Sequence, residues 1–366
     1  MSDSTNSGFA SLSDLEAAAS RKMSAKIRSY IEGSAGTGWT DRANRAEFDR
    51  WALLPHVLAG VREVDPRTQL LDDSVRAPYF VAPTAYQGLV HRDGEVGTAR
   101  AASRAGLLAM FSTLSTHSLE KIADARPRGP RWFQLYLQPE WDATERLVRR
   151  AEKAGFTGLV LTADVPVLGV RDGQLRSRFA IDATIPVGNG PGVLPPSRAP
   201  VPSGATYSLG RSTAESWDVV DRLRAVTALP IVVKGVLTAD DARAAVEHGA
   251  RAVVVSNHGG RQLDRSLPSL AALPAVVGAV GSRAEVYLDG GVRRGSDVLI
   301  ALALGARAVG LGRPILWALA ANGEAGVRHY LSLLAAELAT AMALAGRSSL
   351  AEIDRSLVRP YPLTDS

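Results

Sequence analysis

The sequence predicts an α/β fold, a single (β/α)8 TIM barrel with an N-terminal helical extension and a long loop after strand 4. Three observations predict it. Eight short apolar runs recur from Tyr79 onward, each ending in a polar or glycine-bearing turn. Helical stretches rich in alanine lie between them. The length, 366 residues, suits one barrel of roughly 250 residues with extensions. A doubly wound sheet is the alternative, and it would not need eight units.

In chain order, residues 1–13 are rich in Ser, Thr and Asn and read as a flexible tail. They lack the cationic start and apolar core of a signal peptide. Residues 14–366 read as one domain. Leu12 to Glu32 reads as a helix, with Ser13 as its candidate cap and Gly33 near its end. A loop with Gly36, Gly38 and Trp39 follows, then a short helix around Asn44 to Phe48. The apolar runs are Tyr79–Ala82, Leu108–Ser112, Trp132–Tyr136, Gly158–Thr162, Pro230–Lys234, Ala252–Ser256, Glu285–Leu288 and Arg307–Leu311. Most are continuous and rich in β-branched or aromatic residues, as strands buried on both faces require. Thr238–His248 and Gly295–Leu304 are two of the intervening helices, and Thr238 has the side chain of an N-cap. Val165 to about Leu209 breaks the rhythm, and Pro186 to Ala205 is dense in Pro and Gly. Residues 172–212 are therefore expected to form a mobile loop, in the manner of a lid. The last helix, Val327 to Ala345, places Tyr330, Leu334, Leu338 and Met342 on one face and stops at Gly346.

Composition narrows the function. Hydrophobic residues make up 46% and charged residues 22%, the balance of a globular enzyme rather than a disordered chain. Cysteine is absent, which removes disulfides, thiolate metal sites and a cysteine nucleophile. The net charge is +5, carried mostly by arginine, with no basic run interleaved with aromatics. That argues against nucleic acid and suits an anionic cofactor or substrate. No apolar stretch approaches the roughly 18 residues of a membrane span. A cytoplasmic protein is the expectation.

In a barrel the chemistry sits where strands end and βα loops begin. Those positions hold Pro83-Thr84-Ala85, Ser112, Gln134 and Tyr136, Thr162 and Asp164, Lys234, Ser256-Asn257-His258, Asp289-Gly290-Gly291 and Gly312-Arg313. His258 offers a base near neutral pH, or else a histidine satisfied by its own loop. Arg261 offers a planar fork for a carboxylate. Lys234 closes the apolar run Ile231-Val232-Val233, where an ammonium is costly unless it meets an anion. Schiff-base chemistry and anion stabilisation are both open to it. Gly291 and Arg293, with Gly312 and Arg313, form either a phosphate cradle after the last two strands or simple tight turns. Arg171 opens the long loop; Arg176 and Arg178 read as solvent-exposed. His56, His91, His117, His248 and His329 show no paired metal spacing, so no metal site is expected.

On these residues the chain resembles the FMN-dependent 2-hydroxy acid oxidases and dehydrogenases: the glycolate, lactate and mandelate oxidases and their relatives. The resemblance is carried by Tyr30 with Trp39-Thr40 and Asn44, Ala82 to Ala85, Phe133 to Tyr136, Leu161 to Pro166, Val233-Lys234-Gly235, Ser256 to Asp264, Leu288 to Arg293, and Gly312-Arg313-Pro314. The stretch from Ser256 to Asp264 is the most specific. The resemblance runs over about residues 12 to 357.

It implies FMN across the C-terminal mouth of the barrel. The phosphate would meet Gly291, Arg293, Gly312 and Arg313, with Gly290 beside them. Asp289 and Lys234 would meet the ribityl chain, with Ser256 close by. Pro83, Thr84, Ala85, Ser112, Gln134 and Thr162 would face the ring. Lys234 would balance the charge of the reduced cofactor. Arg261, Arg171 and Tyr30 would bind the substrate carboxylate, and Tyr136 its hydroxyl or carboxylate. His258 would be the base, made more basic by Asp164. The reaction implied is oxidation of an (S)-2-hydroxy acid to the 2-oxo acid with O2 reduced to H2O2, in a homotetramer. Two positions depart from the glycolate-type pattern. Leu114 stands where those members have tryptophan, and Tyr86 follows the Pro-Thr-Ala turn. Both favour a bulky or aryl, mandelate-like side chain. Three rival readings remain at this point: a soluble dehydrogenase using a quinone or protein acceptor, another class of FMN barrel, and a phosphate-binding barrel without turnover.

Overall fold

In the computed structural model, residues 8–125, 129–181, 185–190 and 215–361 are described. Eight parallel strands close into a barrel. They are β1 (Tyr79–Val81), β2 (Ala109–Ser112), β3 (Arg131–Leu135), β4 (Gly158–Thr162), β5 (Ile231–Val236), β6 (Ala252–Val255), β7 (Glu285–Asp289) and β8 (Ala308–Leu311). Each falls on one of the eight apolar runs.

The runs are continuous because both faces of every strand are buried. Phe80, Met110, Trp132, Val160, Val232, Val254, Tyr287 and Ala308, one from each strand, point inward and fill the barrel. Their neighbours, among them Val81, Phe111, Phe133, Leu161, Val233 and Leu288, point outward beneath the helices. Inward and outward positions alternate as a pleat requires, yet both are apolar. A hairpin of Thr68–Leu70 and Asp73–Val75 contributes Leu70 and Val75 to the interior cluster. Asp73 accepts from Trp132 Nε1 at 2.8 Å, and Glu285 from the Leu71 amide at 3.1 Å. Both partners stand near strand starts, so the hairpin closes that end of the barrel. No apolar pattern in these short strands announced it.

The N-terminal extension differs from the single helix expected. It forms α1 (Leu12–Lys22) and α2 (Ala25–Ile31), followed by α3 (Trp39–Asp49). Ser11, not Ser13, caps α1, in a reciprocal capping box with Asp14. The helix therefore begins inside the stretch read as tail. It ends because Met23 turns to extended backbone and Ser24 caps α2, accepting from the Ile27 amide at 3.3 Å. Neither Gly nor Pro marks the break.

The outer helices are α4 (Gly94–Ala105), α5 (Leu119–Ala125), α6 (Trp141–Lys153), then, beyond α7 (Asp172–Ser177) in the loop after β4, α8 (Asp218–Val226), α9 (Ala239–Glu247), α10 (Ser269–Val280), α11 (Gly295–Ala303) and α12 (Arg313–Leu344). Thr238 caps α9 as expected, accepting from the Asp241 amide at 3.1 Å. The last of them starts well before Val327. It is two helices joined at Asn322 and Gly323, whose dihedrals are not helical. Tyr330, Leu334, Leu338 and Met342 are buried along it, as their spacing requires. Within residues 172–212, α7 is helical, and 182–184 and 191–212 lie outside the described residues. No helix among the described residues is long and apolar enough to cross a membrane.

Because Phe80 is wholly interior, Phe80→Ala is expected to cost about 3–5 kcal/mol. Denaturant unfolding of the variant beside wild type measures it.

Candidate active site

Strand register brings the polar strand ends together. Ser112 pairs with Gln134 across β2 and β3, and Thr162 with Lys234 across β4 and β5. The Leu114 amide donates to Ser112 Oγ at 3.1 Å, and Ser112 Oγ donates to Gln134 Oε1 at 3.0 Å. Gln134 Nε2 then donates to Thr162 Oγ1 at 2.9 Å. Lys234 Nζ donates to Ser256 Oγ at 2.8 Å and lies 3.0 Å from Asp289. Ser256 Oγ donates to Asp289 Oδ1 at 2.5 Å and accepts from the His258 amide at 3.1 Å. Burial works against the Lys234 ammonium, but Asp289 and Asp164 together outweigh it and hold its pKa above the ordinary range.

His258 takes a left-handed backbone, φ 58°, that side chains other than glycine adopt at a cost. Its Nδ1 lies 3.1 and 3.3 Å from the two oxygens of Asp164. A carboxylate only accepts, so Nδ1 carries the proton and Nε2 keeps its lone pair. Burial pushes the imidazole pKa down, Asp164 pulls it back, and Lys234 and Arg171 lower it again; the net direction is below the ordinary value. Burial alone would raise the Asp164 carboxyl, yet His258 and Lys234 hold it low. Room for this carboxylate comes from Gly235 in the β5 bulge. A Cβ there would stand 2.5 Å from Asp164 Cβ, and the φ of 109° excludes most side chains.

The N-terminal extension holds the arginines. Arg261 Nη1 donates to the carbonyls of Tyr30 and Gly33 at 2.8 and 2.7 Å, where α2 ends and carbonyls lack partners. Its guanidinium lies 5.3 Å from the Tyr30 ring centroid. Burial, then Arg171 and Arg313, hold its pKa well below the ordinary value. This concentration of positive charge favours an anion. Arg171 Nε donates to the Arg261 carbonyl at 3.2 Å.

A cavity of about 950 Å3 opens over these groups. Of the site residues expected from sequence, all line it except Asp164 and Ser256. Asp164 stands behind His258. Ser256 stands between Lys234 and Asp289, behind the cavity wall. Arg176 and Arg178 are both exposed, as read; Arg178 also reaches the cavity wall, while Arg176 pairs with Asp172. His91, His117 and His248 pair with Asp93, Glu95 and Asp221, and His329 with the Phe9 carbonyl.

Three sets of residues escaped the sequence reading. Phe179 stacks on Tyr30 at 4.8 Å, and Leu168, Leu175 and Ile181 line the same side of the cavity. They come from the aperiodic loop after β4, where no pattern signals burial. Gln262 fastens that loop, donating to the carbonyls of Asp164 and Val167 at 2.9 and 2.8 Å. Asn44 and Asn257 exchange two hydrogen bonds, 2.9 and 2.8 Å, locking α3 to the His258 loop. Both asparagines lie in segments that carry the family resemblance, where residue type alone assigns them no role.

One end of the cavity fits a phosphate. Gly291 has φ 89°, and a Cβ there would meet the Asn44 carbonyl at 2.3 Å, so the turn is glycine for packing. Gly312 differs: a Cβ there meets nothing within 4 Å, leaving open space at the start of α12. Arg293 and Arg313 flank that space. Burial and the repulsion of Arg313 push Arg293 down to about 10. A doubly charged anion there would offset both effects. With Lys234 at the polar strand ends and apolar walls between, the donor set fits a flat cofactor bearing a phosphate.

Fold and site thus define an α/β barrel whose mouth holds a buried imidazole, two guanidiniums and a cavity fitting a flat, phosphate-bearing cofactor. Residues 19–360 match the family of FMN-dependent dehydrogenases. Human 2-hydroxyacid oxidase 2 is 45% identical over 95% of this chain and 97% of its own length. L-lactate oxidase from Nostoc sp. is 46% identical over 90% of this chain and 92% of its own. A mandelate oxidase solved with (S)-2-phenylpropionate superposes with a TM-score of 0.85 at 42% identity, covering 94% of this chain and 96% of that one. The chain belongs to the FMN-dependent dehydrogenase family and is an FMN-dependent 2-hydroxy acid oxidase of that family.

The depressed pKa of His258 has a measurable sign. The unfolded chain binds this proton more tightly. His258 therefore contributes stability above about pH 6.5 that is lost as pH falls through its folded value. NMR titration of the FMN-loaded protein is expected to give a midpoint below 6.5, and Asp164→Asn a lower one still. A midpoint above 6.5 in wild type would show that the Asp164 carboxylate outweighs burial.

Proposed function

We propose that the protein oxidises an (S)-2-hydroxy acid with a bulky or aryl side chain to the 2-oxo acid, with O2 reduced to H2O2. One observation carries the reading: an imidazole with its Nε2 free, oriented by a buried carboxylate, opens onto the cavity that Arg171 and Arg261 also line. FMN, when bound, accepts the two electrons that leave the substrate. Gly291, Arg293, Gly312 and Arg313 would hold its phosphate. Asp289, Gly290 and Lys234 would lie along its chain. Pro83, Thr84, Ala85, Ser112, Gln134 and Thr162 would face its ring.

The chain's own residues do the rest. Arg261 and Arg171 bind the substrate carboxylate, with Tyr30 beside them. Tyr136 contacts the hydroxyl or carboxylate. His258 Nε2 takes a proton from the substrate as it is oxidised. Asp164 stabilises the imidazolium that results, without itself becoming protonated. Lys234 keeps a fixed positive charge at the strand ends.

The side-chain preference rests on the wall. Tyr86, Leu114, Leu168 and Phe179 give the cavity an apolar, partly aromatic side. The mandelate oxidase neighbour, solved with a phenyl-bearing carboxylate, supports the same preference. Relatives named as oxidases support oxygen as the acceptor.

Adding a panel of 2-hydroxy acids to the yellow protein without air is expected to bleach it fastest with aryl members. Readmitting air is expected to restore colour with stoichiometric peroxide. Slow recolouring that a quinone accelerates would instead make it a dehydrogenase. His258→Gln is expected to keep FMN and lose about 10²-fold or more in turnover. Arg293→Ala is expected to weaken FMN retention about tenfold or more, measured by flavin loss on gel filtration.

A further inference from the structure

Glu95, in the first turn of α4, is completely buried and outside the cavity. A carboxylate in such a place is costly unless hydrogen-bonded. Four N–H groups answer it. Oε1 accepts from the amides of Gln87 and Thr116 at 3.0 and 2.9 Å. Oε2 accepts from the amide of His117 at 3.3 Å and from its Nδ1 at 3.1 Å. The carboxylate only accepts, so His117 Nδ1 is the donor.

These donors come from two separate turns. Gln87 follows Tyr86 in the turn after β1; Thr116 and His117 follow Leu114 in the turn after β2. The turns also touch directly. The Tyr86 amide donates to the Leu114 carbonyl at 3.0 Å, and the Gly88 amide to Thr116 Oγ1 at 2.9 Å. Tyr86 has φ 54°, a left-handed backbone that a tyrosine keeps only when its surroundings fix it. Among the bonds that hold this turn are the one from its own amide and the one from the next amide to Glu95.

We propose that Glu95 is a positioning residue for substrate specificity. By tying the two turns to one carboxylate it sets the separation of Tyr86 and Leu114, and with it the width available to a substrate side chain. This rests on the reading that those two residues face the side chain.

Glu95→Gln keeps the shape but sets an NH2 against N–H donors. In the FMN-loaded protein it is expected to lower kcat/KM for (S)-mandelate relative to (S)-lactate by about tenfold, chiefly through KM for mandelate. Flavin content and kcat with lactate should stay within about twofold. Should that variant not fold, His117→Leu, which removes one donor, is expected to lower the same ratio. His117→Asn, which returns an N–H at similar reach, should restore it. Leu114→Trp is the control for the underlying reading. If it shifts the ratio while Glu95→Gln and His117→Leu leave it unchanged, Glu95 has no such role. An equal loss on both substrates overturns the proposal too, marking Glu95 as a general support. If Leu114→Trp leaves the ratio unchanged, the side-chain wall itself is misassigned and the proposal falls with it.

Discussion

Lys234 is an ammonium at the end of an apolar strand, 3.0 Å from Asp289 and close enough to Asp164 to share its charge. Taking such a group out of water costs several kcal/mol, recovered only with good geometry and full hydrogen bonding. The barrel supplies both. Parallel register sets Lys234 beside Thr162, and the β6 end brings Ser256 to bridge Lys234 and Asp289. The same positive charge helps keep Asp164 ionised and His258 neutral. Burial and the Asp164–His258 pairing act first on both groups, and the buried cation adds to the same balance.

A second constraint acts from outside the barrel. The end of α2 offers carbonyls without helical partners, and these hold Arg261 and Arg313. Asp264 accepts from the amides of Thr37 and Thr40 at 2.8 and 3.1 Å, tying the His258 loop to the start of α3. The extension is therefore part of the site. If the break at Met23 were straightened, the end of α2 that meets Arg261 would be displaced. A strand end carries the ammonium and the turn just beyond β6 carries the imidazole, whereas part of the apolar wall comes from the loop after β4.

The clearest signal in the chain was the barrel. Eight doubly buried strands need continuous apolar runs, each closed by a polar or glycine-bearing turn. Lys234 was conspicuous because charge at such a place demands a partner. His258 and Arg261 were conspicuous because they follow a buried strand with glycine between them. Phe179 and Gln262 were not, since an aperiodic loop carries no face to mark as buried. Nor was the link of Ser256 to Lys234 and Asp289, since a hydroxyl at a strand end gives no sign of whether it faces cavity or neighbour. Nothing local marks Glu95, because its burial and its partners depend on two turns outside its own helix.

By itself, the sequence determined the fold class, the strand ends on which chemistry stands, and the family resemblance. Those follow from local pattern: apolar period, glycine placement and residue type. Only the tertiary structure decided which groups meet. The charge pairing of Lys234, the free nitrogen of His258, the grip of α2 on Arg261 and the tie from Glu95 to two turns all join residues far apart in the chain. Their energies depend on distance and exclusion of water, quantities that exist only once the chain has closed on itself.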